Sequence, residues 1–346
     1  MEKIELVRGY EISPVIKGGW QLSDGHSLTT KIQNHEAVAG TVSYIENGIS
    51  TLDFGDIYTG VEELIGTAIL DLKREYGKDA RNLVQLHTKY VPNMAALQSF
   101  DNRDVEKIVD RSLTRLGVER VDLVQFHWWN YESTRYMDAM AELFRLKEVG
   151  KIRHVGVTNF DVNRLREFVT AGFTPASIQL QYSVLDHRPE GEMAEFCQEH
   201  GIGMLAYGTV AGGFLSNKFL GAPAPVEDET RSWTKYGLII EEFGGWNAFQ
   251  ELLRTLYEIA LKQETDISTV ASAYILQRPG VKGVIIGARN LSYLEAHKEI
   301  PTIEFTPEDV EILEKVFAKS SGPAGPVYDL ERYSKKHSQI MHTNNN

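Results

Sequence analysis

Eight short apolar runs, each followed by a stretch with helical spacing, constrain this chain more than any other feature. The runs fall at residues 15–16, 49–54, 83–88, 121–126, 154–157, 178–180, 204–207 and 284–286. Between them, apolar residues recur three and four apart: Val38, Val42 and Ile45 before the second run, and Val105, Ile108, Val109, Leu113 and Leu116 before the fourth. The runs are apolar on both faces, as parallel strands buried on both sides are. Eight such units with no break in composition predict an α/β fold: a (β/α)8 TIM barrel spanning 1–346 as a single domain. The rival, a doubly wound open sheet, carries G-x-G-x-x-G after its first strand. Here the first turn reads Gly18-Gly19-Trp20, and the stretch from Gly208 to Gly213 does not fit either.

Three segments stand outside the rhythm. Residues 1–13 alternate weakly around Arg8-Gly9 and predict a short hairpin. Residues 208–247 read as a loop insertion, with a Pro-rich acidic part at 221–230. The tail from about 320 has no strong periodicity; such tails either close a barrel mouth or stay disordered. The formal net charge of −12 argues against a nucleic-acid or anionic-membrane partner. No apolar run approaches the ~18 residues of a membrane span. Cys197 is the only cysteine, so no intrachain disulfide forms, and a cytoplasmic location is expected. No metal-binding motif is present, and no metal is expected.

Four residues of different chemistry end three consecutive runs. Asp53 closes the second, with Tyr58 five positions later in a Gly-bounded turn; Lys89 follows the third and His127 the fourth. In a parallel barrel these positions share the C-terminal rim, where chemistry is done. A tyrosine ordinarily titrates near 10, so shuttling a proton at neutrality asks for a stabilisation of its phenolate by about 4 kcal/mol. An ammonium about 4 Å away, at an effective dielectric near 20, supplies ~4 kcal/mol. Lys89 is suited to that task, and Asp53 to keeping Lys89 charged. His127 would donate a hydrogen bond to a substrate carbonyl. Such a set makes a general acid for carbonyl reduction. Plainer readings exist: a buried ion pair, a loop aromatic and a core histidine. Their convergence on one rim favours the chemical reading.

The chain resembles the aldo-keto reductases over residues 14 to 298. The resemblance is carried by Thr51-Leu-Asp53-Phe-Gly-Asp-Ile-Tyr58, His87-Thr-Lys89, Asp122-Leu-Val-Gln-Phe-His127-Trp128, Gly156-Val-Thr158-Asn159-Phe160, Gln179-Leu-Gln-Tyr182 and Leu205-Ala-Tyr207. It implies an eight-stranded α/β barrel with Asp53, Tyr58, Lys89 and His127 as catalytic residues, and NADPH, or NADH, bound across the rim. It further implies that Gly19 and Trp20 lie beside the cofactor, that Thr158, Asn159 and Gln179 hold the nicotinamide carboxamide, and that Tyr207 stacks on the ring. Core packing is the plainer role for Tyr207. Gly208 and Thr209 would open the pyrophosphate loop. Trp20, Tyr58, His127, Trp128 and Trp129 would line the substrate site, with Trp246 as a possible addition.

At the adenosine end the pattern departs from the family's. The resemblance places Gly287, Tyr293 and His297 where relatives carry Lys, Arg and Asn. Arg289 reads as the one strong cation in that turn, either a clamp on a 2′-phosphate or a surface residue. The function implied is an NADP-dependent carbonyl reductase, or the reverse alcohol or sugar dehydrogenase, acting on a small molecule. The alternative is a slow, nucleotide-binding regulatory subunit like the barrel subunits of potassium channels.

Overall fold

The computed structural model describes residues 1–23, 34–227 and 230–341. Parts of the expected Pro-rich loop (228–229) and of the tail (342–346) therefore lie outside the described residues. The chain opens with strands β1 (Ile4–Val7) and β2 (Tyr10–Ile12), paired antiparallel as the hairpin predicted around Arg8-Gly9. Eight further strands follow: β3 (Val15–Gly18), β4 (Thr51–Asp53), β5 (Gln85–Tyr90), β6 (Val121–Phe126), β7 (Ile152–Thr158), β8 (Ser177–Gln181), β9 (Gly203–Tyr207) and β10 (Val281–Gly287). All pair in parallel and in chain order, and β10 closes on β3 through Val284 to Val15.

Side chains alternate along each strand, which splits the interior in two. Val15, Leu52, Val124 and Val157 point outward, into the large core between the barrel and its helices. Ile16, Leu123 and Leu205 join Leu6, Tyr10 and Ile12 of the hairpin in a separate, smaller cluster. The hairpin thus plugs the end of the barrel opposite the C-terminal rim. Its Tyr10 hydroxyl lies 2.8 Å from Nε2 of His87 on β5.

Helix starts follow local chemistry. Asp101, Asp161 and Asp266 each accept a backbone N–H of the first turn, and Thr306 with Asp309 forms a capping box. The stretch 208–247 is not a loop throughout. It contains the helix Arg231–Phe243, which buries Trp233, Tyr236, Ile239, Ile240 and Phe243. Those positions are spaced three and four apart, a period legible in the sequence once the preceding Pro-rich stretch is set aside. The tail carries two short helices, Asp329–Tyr333 and Lys335–Met341. It is tied to the end of the helix Arg231–Phe243: Ser320 Oγ donates to the Phe243 carbonyl at 2.9 Å, and Ser321 Oγ to that of Glu242 at 2.8 Å.

Candidate active site

The rim gathers Asp53, Tyr58, Lys89 and His127 around a cavity of about 260 Å³. Lys89 Nζ donates to Asp53 Oδ1 at 2.6 Å and to the Phe54 carbonyl at 2.8 Å, all of it buried. Burial works against the Lys89 charge. It is the largest single influence, but the Asp53 carboxylate and the Tyr58 hydroxyl together outweigh it, and the ammonium is held above its usual range. The second oxygen of Asp53 accepts from Gln125 Nε2 and from Gln179 Nε2, each at 2.6 Å. Gln125 was not singled out in the sequence. It stands two residues before His127 and so on the same inward face of β6, which is the periodicity that would have found it.

Tyr58 packs against Trp20, with ring centroids 5.1 Å apart, and Lys89 Nζ lies 5.0 Å from the centre of its ring. The expected fall in the phenol pKa is not what the site produces. Burial raises it and is the largest influence; Lys89 pulls it down, and the net direction is upward. The phenol therefore keeps its proton at neutral pH, as a donor should. A phenolate formed at Tyr58 would lie beside the Lys89 ammonium.

His127 also differs from expectation. Its Nδ1 lies 3.2 Å from the Thr158 carbonyl, which can only accept, so Nδ1 carries the proton. Burial, helped by the charge of Arg332, pushes its pKa down to about 3, so the ring stays neutral. Nε2 then has a lone pair and no partner among the described residues. In this tautomer Nε2 can accept a hydrogen bond and cannot donate one.

On the facing side, Asn159 adopts a left-handed backbone (φ 62°), and its Oδ1 accepts from the Tyr207 hydroxyl at 2.9 Å. Tyr207 is thus more than a flat surface. Lys235 Nζ lies 4.7 Å from the centre of its ring, and burial lowers the Lys235 pKa to about 8. The donor set fits a nicotinamide carboxamide. Both Gln179 contacts use Nε2, leaving Oε1 as acceptor, while Asn159 keeps Nδ2 as donor. A primary amide needs one of each. Thr158 lines the same cavity, as do Gly208, Val210 and Gly212. Gly208 has φ 82°, and a Cβ there would meet the Tyr236 hydroxyl at 2.4 Å, so the helix Arg231–Phe243 rests directly on this loop.

Several expected contacts fall elsewhere. Trp128 is buried in the outer core with Phe100, Phe126 and Tyr136, and its Nε1 donates to the carbonyls of Asn130 and Ser133. Adjacent to inward-facing His127, it has to face outward. Trp129 does line the cavity and meets His127 edge-on at 4.5 Å. Trp246 packs on Phe214, Phe219 and Phe249 instead. Thr209 turns its hydroxyl away, to 3.1 Å from that of Ser272. Gly19 is pressed against β4, where a Cβ would lie 2.9 Å from Val61 and 3.2 Å from the Asp53 carbonyl; Gly18, not Gly19, lines the cavity.

The tail supplies a wall that the sequence left open. Tyr328 lines the cavity and stands edge-on to His127, 5.7 Å away. Arg332 donates to the carbonyls of Trp128, Trp129 and Asn159 and to the Tyr131 hydroxyl. Beside it, Glu331 takes both Nη atoms of buried Arg188 at 2.9 Å, while Asp186 holds the same guanidinium from the other side.

At the adenosine end, Gly287 lines the cavity but lies against Gln21, whose side chain would meet a Cβ at 2.2 Å. His297 is engaged with the Tyr44 hydroxyl at 3.0 Å, and neither it nor Arg289 lines the cavity. Arg289 is not alone in the turn: buried Lys17 donates to the Ala288 carbonyl at 3.2 Å from below, and burial lowers its pKa to about 8.

Comparison with known proteins agrees with this architecture. A model of the Aldo/keto reductase family matches residues 14–318. "Aldo-keto reductase YhdN" of Bacillus subtilis is 27% identical over 333 residues, covering 92% of this chain and 95% of that one. "Flagellar radial spoke protein 5" of Chlamydomonas reinhardtii is 30% identical over 252 residues, 62% of this chain; the match spans 47%, about half, of that protein's length. Among solved structures, a thermostable aldo-keto reductase in complex with the inhibitor epalrestat superposes with a TM-score of 0.71 at 26% identity, covering 91% of this chain and 100% of that one.

Proposed function

The chain belongs to the aldo-keto reductase family, and from that premise we propose that it transfers a hydride between NADPH and a carbonyl or alcohol, with Tyr58 as the general acid and base. The observation that carries the proposal is Lys89 held charged beside Asp53, its Nζ 5.0 Å from the ring centre of a protonated, half-buried Tyr58. The nicotinamide supplies the hydride when bound. Tyr58 gives its proton to the substrate oxygen as the carbonyl π bond opens, so one C–H and one O–H bond form. Lys89 stabilises the phenolate left behind, worth ~4 kcal/mol at about 4 Å and an effective dielectric near 20. Asp53 keeps Lys89 charged and still. Thr158, Asn159 and Gln179 orient the carboxamide, and Tyr207 fixes Asn159. His127 accepts from a hydroxyl of the substrate, which suits an alcohol, a sugar or a hydroxylated carbonyl compound. Trp20, Trp129 and Tyr328 form the aromatic walls. NADPH is favoured over NADH because Arg289 and Lys17 put two cations at the last strand's turn. Turnover with a panel of aldehydes and both cofactors tests the reading; failure to reduce any of them would favour the regulatory alternative.

A further inference from the structure

We infer that Gln125 is a positioning residue that ties the nicotinamide site to the acid–base pair; this rests on the function proposed above. Gln125 is fully buried inside the barrel. Its Nε2 donates to Asp53 Oδ2 at 2.6 Å, and its Oε1 accepts from Gln179 Nε2 at 2.8 Å. Gln179 Nε2 reaches the same Asp53 oxygen at 2.6 Å. The three side chains close a triangle, and the free corner of Asp53 holds Lys89.

The chemistry of an amide makes the triangle directional. A glutamine donates only through nitrogen and accepts only through oxygen. Asp53 can only accept, so the end of Gln125 nearest it has to be Nε2. Its Oε1 is thereby turned to Gln179 and demands a donor there. Gln179 must present Nε2 to both partners, which leaves its Oε1 for the cavity. Gln125 and Asp53 together hold Gln179 with Nε2 inward, and so keep its Oε1 as the acceptor that a carboxamide NH₂ requires. Without Gln125, Asp53 alone holds the Gln179 amide, through one hydrogen bond in place of two, and the acceptor is held less firmly in place. Asp53 also loses one of the two side chains, Gln125 and Gln179, that fix it against Lys89. Cofactor recognition and proton transfer therefore share one hydrogen-bonded unit.

The test compares two probes on the whole protein. NADPH carries the nicotinamide; adenosine 2′,5′-bisphosphate does not. In Gln125→Leu the NADPH dissociation constant should rise by about tenfold or more, the scale of one or two lost buried hydrogen bonds. That for the bisphosphate should change by less than about twofold, and kcat should fall with it. A purely structural role would weaken both probes alike, and that result, or unchanged NADPH binding, overturns the inference. Should Gln125→Leu not fold, Gln125→Asn keeps the amide but is one methylene too short to span both partners, and it carries the same comparison. The double variant with Gln179→Met should lose no more NADPH affinity than the worse single variant, because one residue acts through the other; additive losses overturn the inference. If the unaltered protein binds neither NADPH nor NADH, it is the proposed function that fails.

Discussion

Lys89 Nζ stands 5.0 Å from the centre of the Tyr58 ring, with Lys89 buried and Tyr58 half-buried at the wall of the cavity. Removing either partner should be costly. Tyr58→Phe keeps the ring and loses only the proton donor, so carbonyl reduction should fall by ~10²–10⁴ while NADPH still binds. Lys89→Met should fall comparably. The double variant should lose much less than the product of the two, since they act as one unit. Single-turnover rates with saturating NADPH and a reactive aromatic aldehyde isolate the step. A Tyr58→Phe protein within about threefold of wild type would sink the assignment.

Cofactor choice turns on charge around residues 287–289. Arg289→Ala should weaken NADPH by about tenfold and leave NADH within about twofold, because a bidentate guanidinium has a phosphate to clamp in only one of them. Calorimetric titration of both cofactors decides it. Equal losses would remove Arg289 from the site.

Asp56 offers a pH test of stability. It is buried in the Tyr58 loop, accepting from the Val91 N–H at 3.3 Å, with Arg111 at 3.5 Å. Burial, reinforced by Glu62, raises its pKa from 3.8 to about 7. The folded protein then binds a proton that the unfolded chain has already lost, so stability falls as pH rises from about 4 to about 7 and levels off above. Asp56→Asn removes that penalty. Relative to wild type it should gain about 2–3 kcal/mol more at pH 8 than at pH 5. Urea midpoints at the two values measure it; an equal effect at both would show that Asp56 does not titrate in this window.

Arg332 fastens the tail to the rim through four hydrogen bonds. Arg332→Ala should destabilise the protein by about 2 kcal/mol, the scale of a lost bond to a charged group. It should also raise KM for substrate more than the NADPH dissociation constant, because Tyr328 beside it walls the side of the cavity near His127. His127 should titrate higher once the neighbouring cation is gone, which NMR of the imidazole protons would show. Unchanged KM and an unchanged His127 would mean that the tail only decorates the rim.

Much was legible in the sequence because it is local. Strand and helix periods, the eightfold count and the caps at Asp101, Asp161 and Thr306 depend on neighbours within a few residues. Strand parity puts Gln125 and His127 on one face and Trp128 on the other, so the Trp128 expectation was correctable from the sequence itself. The helix Arg231–Phe243 was equally readable and was hidden by the Pro-rich stretch before it. These features fix which residues reach the rim.

What the residues do there was decided in three dimensions. Gln125 and Gln179 meet Asp53 across 72 and 126 positions, and no spacing rule announces that contact. Arg332 reaches Trp128 over 204 positions, from a tail with no periodicity of its own. The sign of the Tyr58 shift and the neutral, proton-accepting state of His127 both follow from burial. Burial is a property of the packed whole, because the free energy of a charge depends on everything that has replaced water around it.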